Sequence, residues 1–361
     1  MTDFSGHALA FDDAFWFDIV PRHVACPGLP PQVLLHAGPP YRGSPPPAVL
    51  NAAVQALLYE GLAADGATAR GMIASGAVRL APAQDHRVAT PLAQVVSASM
   101  PLLAVRSKGE VFYAPVVEGP PPALRFGASD PRCRETLFAL VPWLMDTVAP
   151  LVRGKPVSLA AVIRTALANG DECHARTGAA NEALLALLDG LDADGAGRLR
   201  SNPAFVLTVI MAGAGAALHG RGSGIEAIGG NGIEFGVRRR GETTWRCTAG
   251  DAPRGIRFGA HGDAAALAAI GDSAVIDFCG LGGQALDAAP LLAAEWGHVL
   301  PGDALARRGV LLDPASGMVD PARVAQSCMS PLINLAILDA EGMAGLIGRG
   351  FYAPPVGLFD L

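Results

Sequence analysis

Hydrophobic periodicity changes twice along this chain, and that change limits the available folds more than any other feature. In the middle third, apolar residues recur at helical spacing. Ser158 can cap a helix in which Leu159, Val162, Ile163, Ala166 and Leu167 form one stripe, and Asn169-Gly170 suits a left-handed end. Asp171 is then expected to cap a second helix, with Ala180, Leu184, Leu187 and Leu188 on its inner face and Gly190 at its stop. The two would form an αα-hairpin joined by a very tight turn. Phe205 to Leu218 reads as a third, buried helix.

The outer thirds mix two periods. Val33-Leu34-Leu35 is a short strand stopped by His36-Ala37-Gly38-Pro39-Pro40. After Pro45-Pro46-Pro47, Leu50, Ala53, Val54, Leu57 and Leu58 fall on one helical face, with Gly61 at its stop. Thr68 to Ala74 suggests a short helix, while Val78 to Ala81, Val111 to Val117 and Leu124-Arg125-Phe126 look extended. Val88 to Val105, broken by Pro91 and Pro101, is expected to hold buried strand segments. In the last third, Gly229-Gly230-Asn231-Gly232 reads as a turn before a strand from Ile233 to Val237. Ala274 to Phe278 reads as a strand leading through Gly280-Leu281-Gly282-Gly283 into a helical Gln284 to Ala289. Pro321 can open another helix, and Ile333 to Leu338 with Gly350 to Tyr352 suggests a terminal hairpin. The fold class is therefore α+β: two mixed α/β domains, 1–130 and 226–361, with a small helical domain, 131–225, between them.

Composition narrows the function. Lys and Arg number 27 against 33 Asp and Glu, a net charge of −6, so no basic field draws the chain to nucleic acid or anionic lipid. Charged residues are only 17% and hydrophobic ones 51% of the 361, which suggests surface covered by a partner and a homo-oligomer or a larger complex. The start lacks a basic region followed by an apolar run, and Phe205 to Leu218 falls short of the ~20 residues that span a bilayer. The six cysteines (Cys26, Cys133, Cys173, Cys247, Cys279 and Cys328) are scattered. That spacing indicates neither a zinc site nor a disulfide framework. A cytoplasmic chain with reduced thiols is expected, and no motif implies a metal or a cofactor.

Three features could carry chemistry. Asp171-Glu172-Cys173-His174-Ala175-Arg176 is the densest polar cluster. With Asp171 as N-cap, Cys173 lies in a first helical turn, where free N–H groups favour a thiolate. Asp171 and His174 are spaced for a carboxylate to orient an imidazole, and Glu172 and Arg176 for an ion pair. The plainer alternative is a capped helix start with a surface salt bridge. The turn Gly280-Leu281-Gly282-Gly283 could present backbone N–H groups to an anion, although glycine turns also serve tight packing alone. It is neither a Walker loop nor a dinucleotide fingerprint. Asp272 and Ser273 add a carboxylate and a hydroxyl before it, in what could equally be a simple turn. Arg125 sits in an apolar run and needs an anionic partner if buried, whereas His36 and His86, taken singly, suit hydrogen-bonded structural roles.

Taken in order, several segments resemble one known family. They are His36-Ala37-Gly38-Pro39-Pro40, Ser99-Met100-Pro101, Leu124-Arg125-Phe126-Gly127-Ala128, Gly170-Asp171-Glu172-Cys173-His174 and Asn231-Gly232-Ile233-Glu234-Phe235-Gly236. Ile270-Gly271-Asp272-Ser273-Ala274, Gly280-Leu281-Gly282-Gly283 and Asp320-Pro321-Ala322-Arg323-Val324 complete the set. Together they are similar to the YlbE-like family, whose members are encoded beside FdrA-like proteins. The resemblance runs from about Val33 to the C-terminus; Met1 to Gly28 carries no family motif, and Ala175-Arg176 stands where members usually have Asn-Arg. The chain also lacks the longer N-terminal region usual in the family.

The resemblance implies two α/β domains flanking a helical one and a subunit of oxamate carbamoyltransferase, acting with FdrA-like partner subunits. The reaction implied is oxalurate plus phosphate giving oxamate plus carbamoyl phosphate, or a related transfer on a small carboxylate–amide. For such chemistry, Asp171, Glu172, His174 and Asp272 are the expected catalytic set, with His174 as donor or acid/base. His36, Gly38, His86, Arg125, Arg176, Asn231, Ser273, Gly280, Gly282 and Gly283 are the expected contacts for the small anionic substrate. Two rival readings are a non-catalytic scaffolding or ligand-binding subunit, and a metal-dependent hydrolase built on His36, His86, Glu172 and His174.

Overall fold

The computed structural model describes residues 5–221 and 224–360. Among these, short strands separated by glycine and proline collect into four small sheets rather than one large one. The first is antiparallel, in the order Glu110–Pro115, Pro101–Ser107, Phe15–Pro21, Val157–Ser158. The helix Phe205–Arg221 lies on it. Two of its glycines permit that approach: a Cβ on Gly215 would come within 2.4 Å of the Phe112 ring, and one on Gly213 within 2.3 Å of Leu159 Cδ1. Trp16 meets Phe205 edge-on, with ring centroids 5.8 Å apart.

The second sheet is a parallel pair, Val33–His36 with Arg79–Pro82, connected through the helices Pro47–Tyr59 and Gly66–Ala74. The third runs Ile270–Gly271, Ile225–Asn231, Glu234–Arg239, Arg246–Ala249. The fourth runs Arg254–Arg257, Leu346–Tyr352, Ile333–Leu338. One large cluster of buried side chains draws on all thirds of the chain, from Phe11 and Trp16 through Phe112 and Phe205 to Phe278 and Phe359. A smaller one surrounds Trp296, with Leu286, Leu292 and Phe351.

Helices and separate sheets match the α+β expectation. The stripe drawn from sequence buries as expected in Leu159–Ala168, where Ser158 Oγ accepts from the Ala161 N–H, and 205–218 is a buried helix. In Pro47–Tyr59, Ala53, Val54 and Leu57 of the stripe are buried, Leu50 and Leu58 only partly, and Asn51 and Gln55 off the stripe are buried too. The terminal hairpin pairs Ile333–Leu338 with Leu346–Tyr352, and Asp320 caps the helix opened by Pro321.

Five local readings are corrected. Ala274–Phe278 is a short helix, not a strand; every side chain in it is buried, so no periodicity marked its type. Leu124–Phe126 is a 3-10 turn closed by bonds from the Phe126 and Gly127 N–H groups to the Ala123 and Leu124 carbonyls. Gly229 and Gly230 lie inside the strand Ile225–Asn231, and the turn falls on Gly232 at φ +85°. Of Val88 to Val105, 101–105 is buried strand as expected, but 88–100 is irregular apart from isolated bridges at Val88 and Val96, and is held by side chains such as Gln94, whose Nε2 donates to the Val116 carbonyl at 3.0 Å.

The tight αα-hairpin is the fifth. The second helix starts at Gly178, after a loop, 169–177, in which 171–174 are buried. Cys173 there takes φ +68°, which no helix accepts. Among the described residues, Arg132–Gly154 is the one helix long and apolar enough to cross a bilayer by length and composition alone; Asp146 and two prolines interrupt it, and Leu137, Leu144 and Val148 bury one face.

Candidate active site

The loop 169–177 is shaped by its own carboxylates. Asp171 Oδ1 accepts from the Cys173 N–H at 2.8 Å, and Oδ2 reaches ahead to the Ala180 N–H at 3.0 Å, in the first turn of Gly178–Leu185. Asp171 therefore does cap that helix, from seven residues before its first residue. Glu172, fully buried, accepts from the Ala175 and Arg176 N–H groups. Such side-chain bonds compete with helix formation, which explains why the helix starts late. Glu172 does not pair with the Arg176 side chain: its Oε1 takes Asn334 Nδ2 at 2.9 Å. Burial pushes the Glu172 carboxyl up to about 6, although those N–H groups and His174 pull against it. Burial, with the charges of Asp171 and Glu172, holds the Cys173 thiol well above its usual range, so the activated thiolate read from sequence is not formed.

His174 is oriented by Asp277, not by Asp171. Its Nδ1 lies 2.8 Å from Asp277 Oδ2, which leaves Nε2 as the ring nitrogen open to the pocket. Asp277 Oδ1 accepts from the Gly283 N–H at 2.7 Å and the Asn334 N–H at 3.0 Å. Burial opposes the imidazolium, but the charge and hydrogen bond of Asp277, with Glu172 behind, outweigh it and raise the His174 pKa. The glycine turn serves this arrangement from behind. The Gly282 N–H donates to the Glu172 carbonyl at 2.8 Å, and a Cβ there would strike Asp277 Oδ1 at 2.2 Å. Gly280 caps the preceding helix and packs on the Gly317 carbonyl. The N–H groups of Gly280, Gly282 and Gly283 are thus spent inside the protein and are not offered to an anion, as the sequence had suggested.

His174 opens on a cavity of about 270 Å³. Arg125, Ser273, Thr177, Asn334 and Arg349 line it, with Leu92, Phe126, Leu207 and Phe258 as apolar walls. Arg125 is 7% exposed and His174 8%. The Arg125 guanidinium lies over the Phe126 ring, 4.3 Å from its centroid, and the charge of Glu118 is nearby. Burial still lowers Arg125 to about 10. Its Nη1 has no hydrogen-bond partner, nor does Arg349 Nε; Arg349 Nη2 is held by both oxygens of Glu295, at 2.5 and 2.7 Å. Two guanidiniums, Arg125 and the Glu295-paired Arg349, beside an imidazole raised in basicity are chemically able to hold a small anion. Larger hollows of about 680 and 690 Å³ contain none of the candidate residues.

Four of the remaining candidates, His36, Gly38, Asn231 and Asp272, gather elsewhere, in a packed knot. Asp272, fully buried, accepts from the Gly38 N–H at 2.8 Å, the Thr90 N–H at 2.9 Å and Gln84 Nε2 at 2.6 Å. Burial lifts its carboxyl to about 7 against those donors. Asn231 Nδ2 donates to the Pro39 carbonyl at 2.9 Å, and Tyr41 Oη to the Asn231 carbonyl at 2.8 Å. Gly38, at φ +72°, leaves only 2.4 Å between a would-be Cβ and the Gly230 carbonyl carbon. His36 stacks on Tyr41 at 4.4 Å, and burial lowers its imidazole to about 4. His86 is half-buried on the turn Ala83–His86. Arg176 lines an adjoining hollow of about 490 Å³ that shares Ala175, Thr177 and Arg349 with the His174 pocket. Among the described residues, no three of His, Cys, Asp and Glu are grouped to hold a metal ion, and His36 and His86 do not join Glu172 and His174.

A family model described as oxamate carbamoyltransferase subunit AllG matches residues 78–273, more than half of the chain. The chain belongs to the AllG family. It is 28% identical over 391 residues to the oxamate carbamoyltransferase subunit AllG of Escherichia coli (strain K12), covering 96% of this chain and 92% of that protein. It is also 28% identical over 376 residues to the uncharacterized protein YahG of the same organism, covering 92% of this chain and 78% of YahG. A crystal structure of a conserved protein of unknown function from Enterococcus faecalis V583 superposes with a TM-score of 0.84 at 25% identity, covering 99% of this chain and 94% of that one.

The span matched by the AllG model holds Arg125, Glu172, His174 and Ser273. Three residues of the pocket arrangement lie beyond it and were missed in the sequence: Asp277, Asn334 and Arg349. Asp277 was hidden in an apolar run read as a strand. Asn334 and Arg349 sit on the two strands of the terminal hairpin, where only alternation was legible. The one available signal was an Asp between two large apolar residues, Ile276 and Phe278, which demands a buried partner just as Arg125 does.

Proposed function

We propose that this chain is the subunit of an oxamate carbamoyltransferase-like enzyme that carries the reacting site, and that the His174 pocket is that site. The observation that supports it is the meeting, on one 270 Å³ cavity, of two arginines with unpaired donors and an imidazole held by a buried carboxylate. In the proposed reaction a phosphate oxygen attacks the terminal carbamoyl carbon of oxalurate, and the bond from that carbon to the oxamate nitrogen breaks. His174, protonated, gives its proton to the leaving nitrogen and regains one from the monohydrogen phosphate, so carbamoyl phosphate and oxamate leave with protons balanced. Arg125 and Arg349 hold the carboxylate and phosphate charges, and their fixed donors meet the developing oxyanion without reorganisation. Glu172 keeps Asn334 and the loop in place. Partner subunits complete the enzyme; the YlbE-like resemblance points to an FdrA-like chain among them.

The test uses the assembled complex. His174→Ala and Arg125→Ala chains, shown to assemble, are assayed for phosphate-dependent release of carbamoyl phosphate from oxalurate. Each is expected to lower turnover ~100-fold or more, the scale on which acid–base and oxyanion groups act. Full turnover in both would move the reacting site to another subunit and leave this chain a scaffold.

A further inference from the structure

Resting on the anion-pocket reading above, we infer that Asn334 makes the site selective for ligands that carry an amide N–H beside their negative charge. Nothing in the arginines could do this, because a guanidinium reads charge and treats a carboxylate or a phosphate alike. Asn334 is fully buried at the pocket wall. Its amide is oriented: one of the two Nδ2 N–H groups donates to Glu172 Oε1 at 2.9 Å, which fixes the nitrogen end toward Glu172 and the carbonyl end away from it. That end, Oδ1, has no hydrogen-bond partner. The three lining residues thus contribute two unpaired buried donors, Arg125 Nη1 and Arg349 Nε, and one unpaired buried acceptor, Asn334 Oδ1. The cavity asks for an anion and for an N–H in the same small molecule.

The discrimination follows from what Oδ1 cannot do. It accepts and never donates. A ligand amide satisfies it, whereas a ligand carboxylate sets lone pair against lone pair. The backbone N–H of Asn334 also donates to Asp277 Oδ1, and Asp277 Oδ2 holds His174. The selecting oxygen and the acid–base imidazole are therefore fixed to one another through a single carboxylate, so the ligand atom that Asn334 chooses is set relative to the proton donor.

Oxamate and oxalate separate the possibilities. They are nearly isosteric, and only one has an amide. On charge alone, two arginines favour the dianion oxalate. Isothermal titration of each into the full-length chain is expected to give the opposite order, with oxamate bound ~10-fold or more tightly, since sites built around a hydrogen bond reject the partner lacking it by at least that factor. Asn334→Ala and Asn334→Ser, each checked for folding by circular dichroism, should lose the preference while still binding oxalate; Arg125→Ala should weaken both anions. The wild-type order depends on no variant: oxalate equal to or tighter than oxamate overturns the role of Asn334, as does a preference that survives in both Asn334 variants. Equal, Arg125-dependent binding would keep the anion pocket and remove only this inference. Failure to bind either anion at millimolar concentration would remove both.

Discussion

Asp277 has the role that spacing had suggested for Asp171, and the exchange has a measurable sign. Its carboxylate stabilises the proton on His174, so the imidazole stays protonated to higher pH than an ordinary histidine. In Asp277→Asn, Oδ1 can still take the Gly283 and Asn334 N–H groups, while the amide nitrogen faces His174 Nδ1 and forces the wrong tautomer. The assembled enzyme is expected to lose turnover ~100-fold, and the alkaline limb of its pH–rate profile should move to lower pH, because the imidazolium gives up its proton earlier. An unmoved limb would detach Asp277 from His174 protonation. At this scale the sequence was half legible. Glu172, His174, Arg125 and Ser273 were visible as polar residues in conspicuous places, and all four stand in or behind one pocket. Asp272 and Asn231 were equally conspicuous, yet each is taken up by bonds inside the protein, to backbone groups and, for Asp272, also to Gln84. Residue type cannot distinguish a carboxylate that binds a ligand from one that ties loops together.

The elements explain why the site stands where it does. The helix Ala274–Phe278 and the glycine turn after it form a cradle for Asp277, and the turn fits because it has no side chains. A Cβ on Gly283 would lie 2.2 Å from the Leu332 carbonyl, a backbone atom that cannot swing aside. Gly283→Ala should therefore push the turn off Asp277 without touching any group in the pocket. The expected result is a stability loss of ~1–3 kcal/mol by urea unfolding, as for other overpacked sites, together with a fall in turnover. Wild-type stability in that variant would mean the turn has slack. Periodicity identified the elements whose two faces differ, such as Leu159–Ala168, and failed where both faces are buried, as in Ala274–Phe278. It also failed at 169–177, where side-chain bonds to the backbone override the apparent helix signal.

For the molecule as a whole, the described part of the segment that carries no family motif is packed into the core. Phe15–Pro21 is an interior strand of the first sheet, between Pro101–Ser107 and Val157–Ser158, and Phe11 and Trp16 are fully buried. His7 reaches Asp287, and Arg308 Nη2 donates to the Gly6 carbonyl at 3.0 Å, so the same segment also buttresses the glycine turn. A chain shortened to begin at Val33, where the motifs start, would expose two sheet edges and the face of Phe205–Arg221. It is expected to be insoluble or to lack cooperative unfolding by circular dichroism. A truncated chain that unfolds cooperatively with the full chain's midpoint would show this packing to be dispensable.

The two oxygens of Asp277 are divided among three contacts from three separate stretches: the imidazole of residue 174, the amide of residue 283 and the amide of residue 334. No stretch can drift without stranding the others. One carboxylate is thus the common fastening of three segments, and its loss would free all of them together.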